Sequence, residues 1–205
     1  MNNFRLWIDA VGGYLVCPGS HVRLGQWMPA GSSTGSASPT TEGEVDIALL
    51  ADLAPHHATL VRHDEGYLVE AARPVWVDDR QVSGRALLRD GNRLQLGRNV
   101  RLRFRQPTAL SGSAVLELAS RHRTQPAINS IILLAETCLL GPTAACHIVC
   151  PQWRRQVVLQ RHGNDLYCVT QGDFCVAGKN YSGRAKLPWG ELVAGDDFSF
   201  NTELI

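Results

Sequence analysis

Short apolar runs that alternate with polar residues at period two, each ended by turn-forming residues, fill most of the chain. Residues 58–62 and 66–69 flank Asp64-Glu65-Gly66, a hairpin signal, and residues 100–104 alternate apolar with basic side chains. Period two places successive side chains on opposite faces of a strand, so one face is buried while the other meets water. Helical spacing never extends beyond one or two turns. The pattern predicts an all-β fold of small antiparallel sandwiches.

The second half of the sequence repeats the first. Arg62-His63 recurs as Arg161-His162, and Ser83-Gly84-Arg85-Ala86 recurs as Ser182-Gly183-Arg184-Ala185, at the same separation along the chain. The following segments also correspond: residues 22–25 with 138–141, 4–10 with 114–119, and 14–16 with 131–133. The repeat predicts two tandem sandwiches, residues 1–106 and 113–205, joined where proline, serine and glycine interrupt the strand pattern. It also assigns residues 131–140, apolar enough for a helix, to two strands.

The order of these pieces resembles the forkhead-associated (FHA) domain, a β-sandwich that binds phosphothreonine peptides through loops at one end. Family members carry Gly-Arg, then Ser-x-x-His, then Asn-Gly-Thr-x-x-Asn-Gly, then Leu-x-x-Gly-Asp. The corresponding segments here are Leu24-Gly25-Gln26, Ala54-Pro55-His56-His57-Ala58, Arg73-Pro74-Val75-Trp76-Val77-Asp78-Asp79 and Leu88-Arg89-Asp90-Gly91-Asn92. The resemblance implies two FHA-like sandwiches in tandem.

The resemblance also implies which residues of the first repeat face a ligand: Gln26, Ala54, His57, Arg73 and Asp78. In the family, the arginine and the serine bind phosphate, the first asparagine contacts the peptide backbone, and the histidine braces the loops. Gln26 lacks the guanidinium fork, and Ala54 lacks a hydroxyl. Losing two such contacts, at about 1.5–3 kcal/mol each, weakens phosphate binding by orders of magnitude. Arg73, at the first-asparagine position, returns a positive charge to the rim.

The second repeat departs further from the pattern. Trp153 and Gln156 take the serine and histidine places, and Gly172 and Ala177 take the two asparagine places, so no phosphate pocket is expected. Trp153-Arg154-Arg155 falls on the loop at the binding end. An aromatic residue flanked by two arginines is suited to protein contact. The alternative is that Trp153 covers the sandwich core while both arginines are simply solvated.

These features predict a non-catalytic interaction or scaffolding module. The resemblance implies a protein or phosphopeptide partner from serine/threonine kinase signalling, with phosphothreonine binding by the first domain as the alternative. No nucleophile motif or phosphate-cradling glycine loop is present, so no enzyme activity is expected. The sequence leaves the oligomeric state open.

The six cysteines are expected to be reduced, and most of them to be buried. Five of them fall between Cys138 and Cys175, mostly inside apolar runs, where a free cysteine behaves as a small hydrophobe. Cys146-His147-Ile148-Val149-Cys150 contains zinc-type donors, and Cys168 or Cys175 would complete four ligands. The spacing is not that of a paired zinc knuckle, so no metal or other cofactor is expected.

Charge and hydropathy limit the remaining classes of partner and location. The net charge of +1 gives no bulk attraction to nucleic acid or to an anionic membrane. Arginines alternate along residues 98–105, a pattern that can touch nucleic acid but more often keeps a strand face solvated. No apolar run approaches the roughly 18 residues of a membrane span, and the N-terminus lacks a secretory leader, which predicts a cytoplasmic protein.

Residues 29–44 differ in composition from the rest of the chain. The segment is rich in serine, threonine and glycine, with almost nothing apolar to bury, and is expected to be a mobile loop. A tolerated insertion is one interpretation, because long surface loops close at little entropic cost. A flexible flap or a phosphorylation target is the other.

Overall fold

The computed structural model describes residues 1–29, 45–64 and 66–205. Within them the regular elements are strands, apart from a short 3-10 turn at Ala109–Ser111, and the all-β prediction is confirmed. The predicted loop at residues 29–44 lies, except for Pro29, outside the described residues. No helix in the described part of the chain has the length and apolarity needed to cross a bilayer.

The chain divides into two compact units, neither of which is continuous in sequence. Unit 1 comprises Met1–Gly19, Arg105–Glu117 and Asn129–Ile205, and unit 2 comprises Ser20–Phe104 and Leu118–Ile128. This division differs from the predicted consecutive ranges 1–106 and 113–205. The first hairpin belongs with the C-terminal strands, and a short segment after residue 117 belongs with unit 2.

Unit 1 is a sheet built mainly from antiparallel pairs. Its strands are β1 (Phe4–Ile8), β2 (Gly12–Cys17), β12 (Ala114–Leu118), β14 (Ser130–Leu133), β15 (Thr137–Gly141), β16 (Ile148–Val149), β17 (Val157–His162), β18 (Asp165–Val176), β19 (Lys179–Lys186), β20 (Leu192–Ala194) and β21 (Ser199–Leu204). Their order is β16-β15-β17-β18-β20-β21-β1-β2-β14-β12, with β19 paired to β18. One apolar cluster, including Phe4, Leu6, Leu140, Trp153 and Phe200, forms the core.

Hydrogen bonding of β1 explains why unit 1 is discontinuous. β1 pairs antiparallel with β2 on one side and with the last strand, β21, on the other, with Leu6 opposite Thr202. β2 then pairs in parallel with β14, and β14 pairs with β12. The two hairpin-like segments that the repeat aligns, residues 4–17 and 114–133, have similar apolar patterns. Sequence pattern alone therefore does not decide which of them completes which sheet.

Unit 2 contains two sheets. The first has the order β11-β10-β7-β8 and the second has the order β13-β4-β3-β5-β6-β9. Their strands are β3 (His21–Gln26), β4 (Ile47–Leu50), β5 (Ala58–His63), β6 (Gly66–Ala71), β7 (Val75–Val77), β8 (Arg80–Gln81), β9 (Arg85–Leu88), β10 (Arg93–Leu96), β11 (Val100–Arg105, whose last residue falls in unit 1) and β13 (Arg123–Gln125). Val100, Leu102 and Phe104 of β11 are buried, while Arg101 and Arg103 are exposed, as period-two alternation predicts.

The apolar stretch at residues 131–140 forms strands β14 and β15 rather than a helix. The chain turns between them, and Thr137 and Cys138 already belong to the second strand. The prediction of two strands is confirmed. Alignment to the first repeat predicts the two strands, whereas the hydropathy of this stretch alone is compatible with a helix.

Candidate functional site

Several loops of unit 2 meet around His57. The segment after β4, residues 51–57, folds back against the end of β3, and the segment after β6, residues 72–74, lies beside it. The turn between β10 and β11 joins them, because the Gly97 N–H donates to the carbonyl of Pro74 at 3.1 Å. A β-carbon on Gly97 would lie 3.6 Å from the His57 ring, so this turn packs directly against the histidine.

His57 is buried and its imidazole joins two of these loops. Nδ1 lies 3.4 Å from the Ala54 N–H, and Nε2 lies 3.1 Å from the carbonyl of Pro74. Because a carbonyl only accepts, the proton sits on Nε2, and Nδ1 accepts from Ala54. The backbone of His57 donates to Leu24 O at 2.8 Å and accepts from the Arg73 N–H at 3.0 Å. Burial lowers the pKa of His57, which keeps the ring neutral as this arrangement requires.

Gln26 and Ala54 are brought together at the end of β3. The Gln26 N–H donates to the carbonyl of Ala54 at 3.0 Å. The preceding residue is glycine for a steric reason, since the Pro55 carbonyl occupies the place where a β-carbon of Gly25 would stand. The loop therefore crosses directly over β3. The two positions that carry arginine and serine in the FHA pattern are adjacent here.

Arginines supply the positive charge on this rim. Arg73 is exposed, and its backbone is fixed by His57. Arg98, in the turn that packs against His57, is also exposed, and neither side chain forms an ion pair with any described residue. Sequence reasoning placed Arg98 on a strand with the other arginines and missed it as a rim residue. The contact of Gly97 with Pro74 and His57 is long-range and has no local signature.

Asp78 has different partners from the other four candidate residues. It lies in the turn between β7 and β8 with a positive φ of 46°. Its carboxylate accepts from Asn92 Nδ2 at 2.6 Å and from the Arg93 N–H at 2.8 Å. Both carboxylate oxygens are thus used to hold β10 against the turn. The carboxylate bonds of Asp78 therefore lie at this turn, whereas backbone hydrogen bonds connect Gln26 to Ala54 and His57 to Arg73.

In unit 1 the residues Trp153, Arg154 and Arg155 behave differently from one another. Trp153 is 5% exposed and packs on Phe198 with ring centroids 5.4 Å apart. The Arg155 guanidinium lies 3.2 Å from Asp196 and 3.8 Å from Asp197, and it donates to the carbonyl of Gln171. The Arg154 N–H donates to Asp197, and its side chain is exposed. Trp153 therefore covers the core and Arg155 is held by carboxylates, so Arg154 is the exposed cation of the three.

A cleft of about 430 Å³ lies beside Trp153 in unit 1. Carboxylates of Asp9, Asp196 and Asp197 line it, and no lysine or arginine does. Asp196 and Asp197 are paired with the Arg155 guanidinium, so their charge is partly offset. The lining of this cleft therefore provides no cationic anchor for a phosphate group.

His147 is the other buried histidine, and its hydrogen bonds are complete. Nδ1 accepts from the Leu139 N–H at 3.0 Å, so Nε2 carries the proton and donates to Ser111 Oγ at 2.9 Å. Burial lowers the pKa of His147 to about 4, and the nearby Arg105 guanidinium acts in the same direction. With both ring nitrogens engaged, His147 has no lone pair available for a metal ion.

The cysteines around His147 are buried thiols. Burial raises the pKa of Cys150 and of Cys168 to about 12, and it raises the pKa of Cys138 further still. Thiolates, not thiols, bind zinc and attack electrophiles. Among the residues that the structure describes, no group of three or more His, Cys, Asp or Glu side chains is placed to hold a metal ion.

Comparison with known proteins adds one similar structure. No family model matches the chain, and no curated protein matches it. The N-terminal FHA domain of EssC, a component of the bacterial Type VII secretion apparatus, is similar to this chain at 10% identity, with a TM-score of 0.25. The likeness spans 98% of this chain and 92% of that one. The site must therefore be interpreted from its own geometry.

Proposed function

We propose that the chain is a non-catalytic protein-interaction module of the FHA type, with two FHA-like units. Its contact site is the end of unit 2 formed by the loops around His57, called here the His57 rim and defined by Gln26, Ala54, His57, Arg73 and Arg98. The order of sequence motifs supports the FHA assignment. The partner is a protein, and the resemblance points to a component of serine/threonine kinase signalling.

The observation that carries this proposal is the network made by His57. The buried neutral imidazole of His57 joins the Ala54 loop to Pro74. The backbone of His57 donates to β3 and accepts from Arg73. Loops held by a rigid scaffold are the usual place for recognition residues. Preorganised loops also lose little conformational entropy on binding, which favours affinity. The rim is therefore built to present fixed side chains to a partner.

Phosphate is not required for this contact in our proposal. Gln26 and Ala54 occupy adjacent positions where an arginine fork and a serine hydroxyl would grip a phosphate. The second candidate function, phosphothreonine binding, is supported by one observation: Arg73 and Arg98 are both exposed on the rim and unpaired among the described residues. Two guanidinium groups are able to replace the missing anchor.

The double variant Gln26→Arg/Ala54→Ser separates these candidates. If the scaffold is of the FHA type, the two substitutions restore a fork and a hydroxyl next to each other. We expect phosphothreonine peptides to bind the variant at least about 100-fold more tightly than the native chain, from two contacts of about 1.5–3 kcal/mol each. Binding of a phosphothreonine peptide library, read by fluorescence polarisation, measures the gain. The same peptides without phosphate are the control.

Two further results decide the matter. Hits on the native chain that disappear in Arg73→Ala would establish the second candidate in place of the first. An unchanged thermal midpoint would show that the double variant is folded. If the folded variant gains no affinity for phosphothreonine peptides, the FHA interpretation of the rim is wrong. The variant Arg154→Ser in unit 1 is the control. It should leave all peptide binding unchanged, since Arg154 lies outside unit 2.

A further inference from the structure

The outer face of the first sheet of unit 2 gathers arginines that come from separate parts of the sequence. The strands β8, β7, β10 and β11 bury Leu94 and Leu102 on the inner side. On the outer side Gln95 of β10 lies opposite Arg101 of β11 and also opposite Trp76 of β7. We call this surface the basic face, defined by Trp76, Gln81, Arg93, Gln95, Arg101 and Arg103.

Two arginines of the basic face stand directly opposite each other. Arg93 pairs with Arg103 in the register of β10 and β11. Directly opposite side chains in an antiparallel pair lie about 5 Å apart at their β-carbons, and like charges there are destabilising. Arg93 has a carboxylate partner, Asp79, at 3.1 Å, whereas Arg101 and Arg103 form no salt bridge among the described residues. Asp79 thus offsets the charge of Arg93, whereas no described carboxylate forms a salt bridge with Arg101 or Arg103.

A distant segment adds to this charge. Ser120 Oγ accepts from the Arg101 N–H at 3.1 Å, and the Ala119 N–H donates to Arg101 O at 2.9 Å. Arg121 and His122 therefore follow directly beside β11, and His122 Nδ1 lies 2.9 Å from Ser120 Oγ. Residues 118–128 contain no acidic side chain. The near-zero net charge of the chain conceals this local excess of positive charge.

The basic face is polar, with one aromatic ring in it. Half-buried Trp76 lies between Gln81 and Gln95 across the strands. None of the exposed large hydrophobic side chains of the described residues belongs to this face. A membrane-binding surface inserts exposed apolar side chains, which this face lacks, so membrane binding is disfavoured. Nucleic-acid interfaces are polar and positively charged, and bases stack on aromatic rings and on guanidinium planes.

We propose that the basic face of unit 2 binds single-stranded nucleic acid without sequence specificity. Arginines two apart along a strand are spaced by about 6.7 Å, close to the spacing of phosphates in an extended single strand. Arg101, Arg103 and Arg93 contact the phosphates, and Trp76 supplies the stacking ring. A sheet face suits a single strand, because reading a duplex requires an element that enters a groove.

Fluorescence anisotropy with a labelled 20-nucleotide oligo(dT) tests this inference on the full chain. If three or four phosphates are contacted, the affinity should fall roughly 20- to 50-fold between 50 and 200 mM salt. The variant Arg101→Glu/Arg103→Glu should lose at least tenfold in affinity at 50 mM salt. Its thermal midpoint should not fall, since the substitution removes the repulsion between Arg93 and Arg103. Trp76→Leu keeps an apolar side chain and should lose about fivefold or more.

Arg23→Glu is the matched control, because Arg23 is an exposed strand arginine in the other sheet of unit 2. It should keep the native affinity. Absence of binding at 50 mM salt, or equal losses in Arg23→Glu and the double variant, would overturn the inference. So would stronger competition by poly-glutamate or by anionic phospholipid vesicles than by unlabelled oligo(dT) at equal charge concentration. Because the His57 rim is untouched by these variants, peptide binding there is scored independently.

Discussion

Two buried histidines show how single residues hold this chain in place. Each ring accepts a backbone N–H at Nδ1 and donates from Nε2, His57 to a carbonyl and His147 to a hydroxyl. Adding a second ring proton would place a donor against a donor in both sites. Burial lowers the pKa of both histidines, because it removes the water that would stabilise the charged imidazolium. The neutral imidazole is therefore a condition of the fold at both sites.

His147 should make the stability of the protein fall in mild acid. Its pKa is lowered to about 4 from an unfolded value of 6.5. The unfolded chain therefore takes up the proton first as pH drops. The stabilisation is complete above pH 6.5 and is lost progressively down to pH 4, about 3 kcal/mol in all. Urea unfolding at several pH values measures it.

The variant His147→Gln should flatten this pH profile, because an amide is able to accept from Leu139 and donate to Ser111 without titrating. Parallel pH profiles for the native chain and His147→Gln would show that His147 does not titrate in this way.

At the scale of elements, the local sequence pattern predicts where the strands lie, but it does not predict which strands pair with each other. Alternation marks β11, and the repeat separates β14 from β15. The pairing of β1 with β21 has no local signal, because two segments of similar apolar pattern compete for that place. The same holds for the His57 rim. The motif order locates Gln26 and His57, whereas Arg98 is placed there by the Gly97 contacts. The Asp78 carboxylate accepts from Asn92 and from the Arg93 N–H.

The role of β1 in unit 1 is testable with one substitution. Leu6 is fully buried between the strands of the core, whereas Leu204, on the paired strand β21, is 48% exposed. Leu6→Ala should lower the free energy of unfolding by about 3 kcal/mol through lost burial and a cavity. Leu204→Ala removes the same atoms and should cost less than about 1 kcal/mol. Equal costs in urea titrations would mean that β1 is not packed into the core of unit 1.

At the scale of the whole molecule, strand pairing ties the two ends of the chain together. β1 pairs with β21, β2 pairs with β14, and β13 pairs with β4. Each of these ladders joins a strand before residue 106 to a strand after residue 113. A duplicated chain that folded as consecutive domains would have none of them. The repeat in the sequence and the units in the structure are thus different divisions of the same chain.

Cutting the chain between the repeats distinguishes the two divisions. Leu110 is 94% exposed in the short 3-10 turn, so a protease site inserted after it should be cleaved without disturbing the sheets. We expect the two halves to co-elute on size exclusion at the volume of the uncut protein, because the β1–β21, β2–β14 and β4–β13 ladders all cross the cut. The halves should separate in concentrated urea and reassociate on its removal. Elution as two independent folded species under native conditions would instead establish consecutive domains at residues 1–106 and 113–205, with β1 returned to the first of them.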